Sequence, residues 1–378
     1  MKILFLSNRF ETTGGGGELS RAHYNALSKI ANEIHVVSLR SAKDKADDAN
    51  KSNEGITRLY SRKSKRNKEI LKSIDEYKPD LIWLGDVDAK VGSVIKDVKC
   101  KFHDIQIFVF HHVMDSLKWS LSAISFYSFD VFRTIRRTLR ALLAYSKWLR
   151  EIRIFSKIAD ANILLNDRDK ILYRQYCNKE PDLILPVCYV DKSEIKTLNT
   201  DDNKFNLLFV GAGGSNTGPN VKGIKWFARE VLPKLNKKAV LNIVGKNMDK
   251  MKNEPEFKNN PRVKITGFVE SLDDFYNMAD LIVVPVFVGG GMMTKVCEAL
   301  MYGKNILSTG HALNGYEGLD DCRCDTAEEF ITKINAMIEN PERKKFNPAM
   351  RKLYEDKYSI KAMENMLRKF MREKGFDV

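Results

Sequence analysis

Short apolar runs alternate with stretches of helical period along almost the whole chain, and after a polar linker at residues 191–203 the alternation starts again. In the first half KILFLS (2–7), IHVVSL (34–39), DLIWLG (80–85), IQIFVF (105–110) and ANILLN (161–166) read as strands. Helical periods lie between them, as at residues 18–31, where Leu19, Ala22, Ala26, Leu27 and Ile30 share one face. LILPVCYV (183–190) leads into the linker, and residues 41–68, polar and without a clear period, read as a loop. In the second half FNLLFVG (205–211), AVLNIVG (239–245), VKITGFV (263–269), LIVVPVFV (281–288) and NILST (305–309) repeat the pattern. Strands that alternate with helices pair in parallel, because each helix carries the chain back across a sheet face. Two such series predict two doubly wound α/β domains. In such sheets ligands bind beyond the carboxyl ends of the strands, so the cleft between the domains is the expected site.

At 378 residues the chain exceeds one ordinary core, which agrees with two domains. A hydrophobic fraction of 43% and a charged fraction of 30% describe a folded globular protein rather than a disordered one. The start, MKILFLSNRF, lacks the long apolar stretch of a signal peptide. No run approaches the roughly 18 apolar residues of a spanning helix. Cysteines 100, 177, 188, 297, 322 and 324 are scattered, and Cys322-x-Cys324 has no second pair and no nearby histidine. Reduced thiols in a cytoplasm are expected, not a zinc site.

Residues 281–308 carry the chemistry: LIVVPVFVGGGMMTKVCEALMYGKNILS. A doubly buried strand runs into Gly289, Gly290 and Gly291, and a helix is expected to start near Met292. Such a junction turns backbone N–H groups towards an anion. Lys295 in the first turn adds a mobile positive charge, and Glu298, one turn on, offers a carboxylate to a diol such as a ribose. The segment predicts a nucleotide-diphosphate site.

Other glycine clusters fail as cofactor motifs. GGGGEL (14–19) and GAGGSN (211–216) put Leu19 and Asn216 where a dinucleotide fingerprint needs its last glycine. Neither following strand ends in the acidic residue that would hold a ribose. No Gly-Lys-Ser/Thr occurs, which excludes a P-loop.

The second half resembles glycosyltransferase family 4, the retaining GT-B enzymes. LLFVGAGGSNTGPNVKGIKWFAREVLPKL is similar to the family's first strand, loop and helix of the donor domain, and LNIVGKN to its second strand. VKITGFVESLDDFYNMADLIVVPVFVGGGMMTKVCEALMYGKNILST is similar to its donor-site core. The spacing holds from Lys204 to Glu317. The first half resembles the family more loosely, through residues 2–31 and FHHVMDS (110–116).

The resemblance implies a GT-B fold, α/β with two Rossmann-like domains facing a central cleft. One comprises residues 1–195, joined by the C-terminal helix 358–378, and receives the acceptor. The other, 204–357, binds the donor. It also implies roles. Gly289, Gly290, Gly291, Met292, Met293 and Lys295 would cradle the pyrophosphate, and Glu298 would hold the ribose. Gly267, Phe268 and Val269 would hold the base through backbone atoms, and Lys222 would supply a phosphate contact. Gly15, Gly16 and Gly17 match the loop that closes over donor phosphate and acceptor. His111 matches the histidine that contacts the transferred sugar, with His112 as the one-residue-shift alternative. Two positions depart from the family pattern: Gly290 stands where the first glutamate of a Glu-x7-Glu pair is usual, and Ala212 where an arginine is usual.

Each residue alone has a plainer reading. Lys295 and Glu298 suit a solvated helix face, His111 a structural strand end, residues 14–17 a loose turn, Asp115 a helix cap, and Cys297 a small buried side chain.

Net charge is +14. Half of it lies in residues 118–157, where nine Lys/Arg face Asp130 and Glu151. Arg133, Arg136, Arg137 and Arg140 cluster beside Phe132, Ile135, Leu139 and Leu142, whereas between Tyr145 and Lys157 the basic residues oppose Trp148, Leu149, Ile152 and Phe155. The two apolar faces are out of phase, which predicts a break near Ala144. WSLSAISFYSF (119–129) precedes them. The region reads either as core packing with a solvated basic face or as a contact with an anionic membrane surface. No nucleic-acid motif accompanies the charge.

The expected activity is metal-independent transfer from a nucleotide-diphosphate sugar, UDP or GDP type, to a glycan or lipid-linked acceptor in surface polysaccharide or lipopolysaccharide synthesis. No separate cofactor is expected. The location is cytoplasmic or peripheral at the inner membrane face. A GT-B sugar-nucleotide epimerase and a catalytically degenerate GT-B subunit are the alternatives.

Overall fold

The computed structural model of the chain describes residues 1–12, 14–40, 55–60, 63–85, 92–112, 114, 131–196, 203–214, 218–340 and 342–378. It divides into two compact units. The first contains the described residues up to Val190 together with Ile360–Val378, and the second contains Asp191–Ser359.

The first unit runs β1 (Lys2–Ser7), α1 (Gly15–Leu27), β2 (Glu33–Leu39), β3 (Ile56–Leu59), α2 (Lys63–Tyr77), β4 (Leu81–Leu84), α3 (Gly92–Lys101), β5 (Gln106–His111), α4 (Val131–Ile158), β6 (Ala161–Leu164), α5 (Asp167–Cys177) and β7 (Leu183–Ile184). Its sheet is parallel in the order β3-β2-β1-β4-β5-β6-β7. Alternation sorts the strand residues between two helical layers. Leu4, Leu6, Ile82, Leu84, Ile107 and Val109 pack with Ile70 and Ile74 of α2, Val94 and Val98 of α3, and Phe155 of α4. On the other face Trp83 and Phe110 meet His23 of α1.

The second unit runs β8 (Phe205–Val210), α6 (Pro219–Trp226), β9 (Ala239–Val244), β10 (Val263–Thr266), α7 (Asp273–Met278), β11 (Leu281–Val284), α8 (Thr294–Met301), β12 (Ile306–Ser308), α9 (Ala327–Glu339) and α10 (Pro348–Leu353). Its sheet is parallel in the order β10-β9-β8-β11-β12. The last helix, α11 (Ile360–Glu373), belongs to the first unit, where Phe370 lies 5.5 Å from the Phe108 ring.

Several expectations need correction. The polar stretch 41–68 contains β3 and the start of α2. Its strand escaped notice because Arg58, on an edge strand, is drawn inward by an ion pair with Glu11 at 2.6 Å. The segment 183–190, read only as leading into the linker, contributes the short strand Leu183–Ile184 and buries Leu185, Val187 and Cys188. The helical stretch after β8 is not one regular helix: α6 is followed by a π-turn, Phe227–Val231, and a 3₁₀ turn, Leu232–Lys234. The break near Ala144 does not occur, and α4 is continuous over 28 residues. It carries neither proline nor glycine, so nothing interrupts its hydrogen bonds. The residues read at 119–129 and Asp115 lie outside the described residues.

Candidate active site

In each sheet the order reverses between the first and fourth strands of the unit, at β1/β4 and at β8/β11. A crevice opens at such a switch point, beyond the carboxyl ends, because neighbouring connections leave to opposite faces. In the second unit Gly211 follows β8 there and Pro285 follows β11.

A close backbone approach builds this crevice. A Cβ on Gly223 would stand 1.8 Å from the Pro285 carbonyl oxygen, so only glycine lets α6 pack on the exit of β11. Gly289 and Gly291 hold φ of 147° and 72°, and Met293 is extended, so α8 begins at Thr294, two residues later than expected. No side chain caps this helix start. Val296 N–H bonds the Met293 carbonyl at 2.9 Å, which leaves the Thr294 and Lys295 N–H groups of the first turn to face an anion.

Lys295 lies in that first turn and is 8% exposed. Its Nζ donates to Asn220 Oδ1 at 2.6 Å and sits 4.5 Å from the centre of the Phe209 ring. Asn220 in turn donates from Nδ2 to the Ala212 carbonyl at 3.1 Å. Burial pulls the Lys295 ammonium down to about 7, with Glu298 opposing the shift. The carboxylate of Glu298 accepts a hydrogen bond at 3.1 Å from Tyr276, whose ring is stacked on Tyr302 at 4.3 Å and 4°. Tyr302 donates to Asp273 at 2.7 Å. One helix thus presents an ammonium and a carboxylate, each held from behind.

The other residues expected here fall out differently. Gly290, Gly291 and Met293 line the half-buried turn before α8, whereas Met292 is buried. Gly267 follows β10 and accepts from Gly245 N–H, and Val269 is half-buried. Phe268 is 73% exposed, an aromatic face at a carboxyl strand end. Lys222 is exposed on α6, and the residue of that helix brought to Lys295 is Asn220.

In the first unit Gly15, Gly16 and Gly17 open α1 behind Gly14, whose φ is 90°. A Cβ on Gly17 would lie 1.9 Å from the Thr12 carbonyl oxygen, which explains glycine there. On Gly16 it would lie 2.8 Å from Arg9 Nη1 and 3.4 Å from His112 Nε2. His112, not His111, therefore lies beside the glycine turn. His111 faces the opposite side of the sheet, 1% exposed, with Nε2 2.9 Å from Asn162 Oδ1 and its ring 5.5 Å from Tyr173. The alternation of strand side chains forces this: Phe110 and His112 share the α1 face, and His111 cannot. Burial pushes both histidines down to about 4, helped at His112 by the Arg9 charge and opposed at His111 by Asn162. Both are neutral near pH 7. Neither ring nitrogen of His112, both buried, finds a hydrogen-bond partner in another described residue.

Sequence reasoning missed Asn220, Phe209, Tyr276 and Arg9. Only their place in the fold distinguishes them, since none stands in a glycine or charge motif.

Comparison with known proteins follows the same division. Residues 204–340 match the family model described as "Glycosyl transferases group 1". No curated protein matches. Among solved structures, HepE of Anabaena in complex with UDP superposes with a TM-score of 0.69 at 13% identity, covering 99% of this chain and 100% of that one. The lipopolysaccharide outer core galactosyltransferase WaaB, apo form, gives 0.67 at 16% identity over 99% and 100%. The UDP-GlcNAc 2-epimerase of Methanocaldococcus jannaschii gives 0.55 at 17% identity over 98% and 100%. The chain has the GT-B fold, and the family match over its second unit supports a glycosyltransferase.

Proposed function

We propose that this chain is a retaining, metal-independent glycosyltransferase of family 4. It would move a sugar from a nucleotide-diphosphate donor to a glycan or lipid-linked acceptor, in polysaccharide or lipopolysaccharide synthesis at the cytoplasmic face of a membrane. The observation that carries this reading is the turn into α8: the uncapped Thr294 and Lys295 amides, the Lys295 ammonium and the Glu298 carboxylate on one helix. A departing nucleotide diphosphate needs fixed positive charge on its phosphates, and amides with a lysine supply it. Glu298 accepts from a ribose diol. Phe268, exposed beyond β10, would offer its aromatic face to the base.

In the transfer the bond from C1 of the sugar to the diphosphate oxygen breaks and a bond from C1 to the acceptor oxygen forms. The acceptor proton passes to the leaving phosphate. Configuration is kept because acceptor and leaving group share one face of the sugar. His112, neutral and beside Gly16, is the histidine available to the sugar, in place of His111.

The test is a panel of UDP, GDP and ADP, with and without chelator, read as thermal stabilisation of the protein. UDP heads the panel because HepE is described in complex with it. No stabilisation by any of the three would remove the donor site. Product analysis with the matching sugar nucleotide then separates transfer from epimerisation. Binding without either reaction would identify a degenerate subunit, a reading that Gly290 and Ala212 favour.

A further inference from the structure

Helix α4 carries apolar residues on two opposite faces, one after the other. At 100° per residue, Trp148, Ile152 and Phe155 in its second half fall within a sector of about 60°. Ile152 and Phe155 are 1% and 0% exposed, and Trp148 packs against the same cluster with Tyr173. In the first half Ile135, Leu139, Leu142 and Leu143 fall within a sector of about 100° on the other side of the helix. They are exposed by 50%, 55%, 42% and 70%. These are four of the large apolar side chains most exposed to solvent among the described residues, and they stand together.

The exposed sector continues into the second half of the helix but changes character. There it carries Arg150, Arg153 and Lys157, which with Lys96 of α3 line a groove of about 530 Å³ floored by Tyr145 and Leu149. Arg153 donates to the Tyr176 carbonyl at 2.9 Å, which fixes its guanidinium at the groove wall. Along the whole helix eight Lys/Arg meet one acid, Glu151. A partner protein with an acidic patch would match the charge and leave the aliphatic stripe unexplained. A bilayer with anionic headgroups matches both, since it offers phosphates beside hydrocarbon.

We infer that α4 docks this protein on an anionic lipid surface, with Ile135, Leu139, Leu142 and Leu143 entering the acyl boundary and the Lys96–Arg150–Arg153–Lys157 groove taking lipid phosphates. This inference stands apart from the donor-site reading, because its residues belong to the first unit and α8 to the second.

The experiment is flotation of the full chain with neutral phosphatidylcholine vesicles and with vesicles containing about one-third phosphatidylglycerol. Binding should favour the anionic vesicles at least about tenfold and weaken as salt rises. L139E/L143E should abolish it even at low salt, and R150E/R153E should weaken it by about tenfold or more. All four positions are at the surface, so melting temperature and circular dichroism should stay at wild-type values. Equal binding to neutral vesicles, or binding unchanged in both variants, overturns the inference. So does a dimer in sedimentation velocity that L139E/L143E dissolves, since the stripe would then belong to a second copy. UDP affinity should be the same in both variants, which keeps failure here distinct from failure of the donor site.

Discussion

Lys295 Nζ donates to Asn220 at 2.6 Å, while Glu298, one turn further along the same helix, is held by Tyr276. The two charges of α8 are thus anchored on different supports rather than on each other. An ammonium left on a neutral amide and an aromatic ring, and buried, loses much of its preference for the charged form, which accounts for its fall to about 7.

That shift predicts proton uptake on nucleotide binding. A diphosphate against Nζ restores the charged form, so binding of UDP should take up about half a proton at pH 7 and close to one by about pH 8–9. Calorimetry in two buffers of different ionisation enthalpy measures it, and Lys295→Met should remove it while weakening UDP by about tenfold or more, roughly 1.4 kcal/mol. The linkage for folding has the opposite sense from a stabilising ion pair. The folded value of about 7 lies below the 10.5 of free lysine, so between them the unfolded chain binds more protons. Stability of the unliganded protein should therefore rise as pH rises from about 7 towards 10.5, and Lys295→Met should flatten that rise.

Glu298 is predicted to read the ribose, and Tyr276 to position it. Glu298→Gln should weaken UDP about tenfold and leave 2′,3′-dideoxy-UDP nearly unaffected. Tyr276→Phe keeps the stack on Tyr302 and removes only the hydroxyl, so it should cost about 1 kcal/mol in UDP binding and nothing in dideoxy-UDP binding. Equal losses for both nucleotides would assign Glu298 to the fold instead.

The approach of α6 to Pro285 makes a stability prediction. Gly223→Ala pushes a methyl into a carbonyl oxygen 1.8 Å away, and both partners are main chain, so neither rotates aside. Urea unfolding should show a loss of about 3 kcal/mol, the upper end for overpacking. Gly214→Ala, with nothing within 4 Å of its Cβ, is the control and should change stability by less than about 0.5 kcal/mol.

The parts of the fold legible in sequence were those where one short segment carries its own pattern. The buried strands at 2–7 and 205–210, the glycine turn before Lys295, and the restart after residue 203 are local. What was not legible depends on partners far along the chain. Asn220 looks like any helix-start polar residue until β11 delivers Lys295 to it, 75 residues later. The strand Ile56–Leu59 looked like loop because its Arg58 answers Glu11 across 47 residues. The two apolar faces of α4 were visible as a conflict of phase. A break resolves such a conflict if both faces must reach one core, and exposure of one face resolves it here without any break.

The histidine pair gives the last prediction. A one-residue error of register in reading a strand exchanges its faces, so the choice between His111 and His112 turns on the position of Phe110, which packs 4.4 Å from His23 on the α1 side. His112 shares that side, stands next to Gly16 and Arg9, and has buried ring nitrogens that no other described residue satisfies. A sugar hydroxyl would satisfy them. His112→Ala should therefore lower kcat by about a hundredfold or more with folding stability kept or slightly raised, since it removes a desolvated polar group without its bond. His111→Ala should do the reverse: it strips Asn162 of its partner, leaves a cavity beside Tyr173, and should lower the melting temperature by several degrees, about 2 kcal/mol, with kcat little changed at a temperature where the protein is folded. Transfer rates and melting curves on the two single variants decide between them. A large loss of kcat in the folded His111 variant, with His112→Ala fully active, would return the sugar contact to the buried side of the sheet.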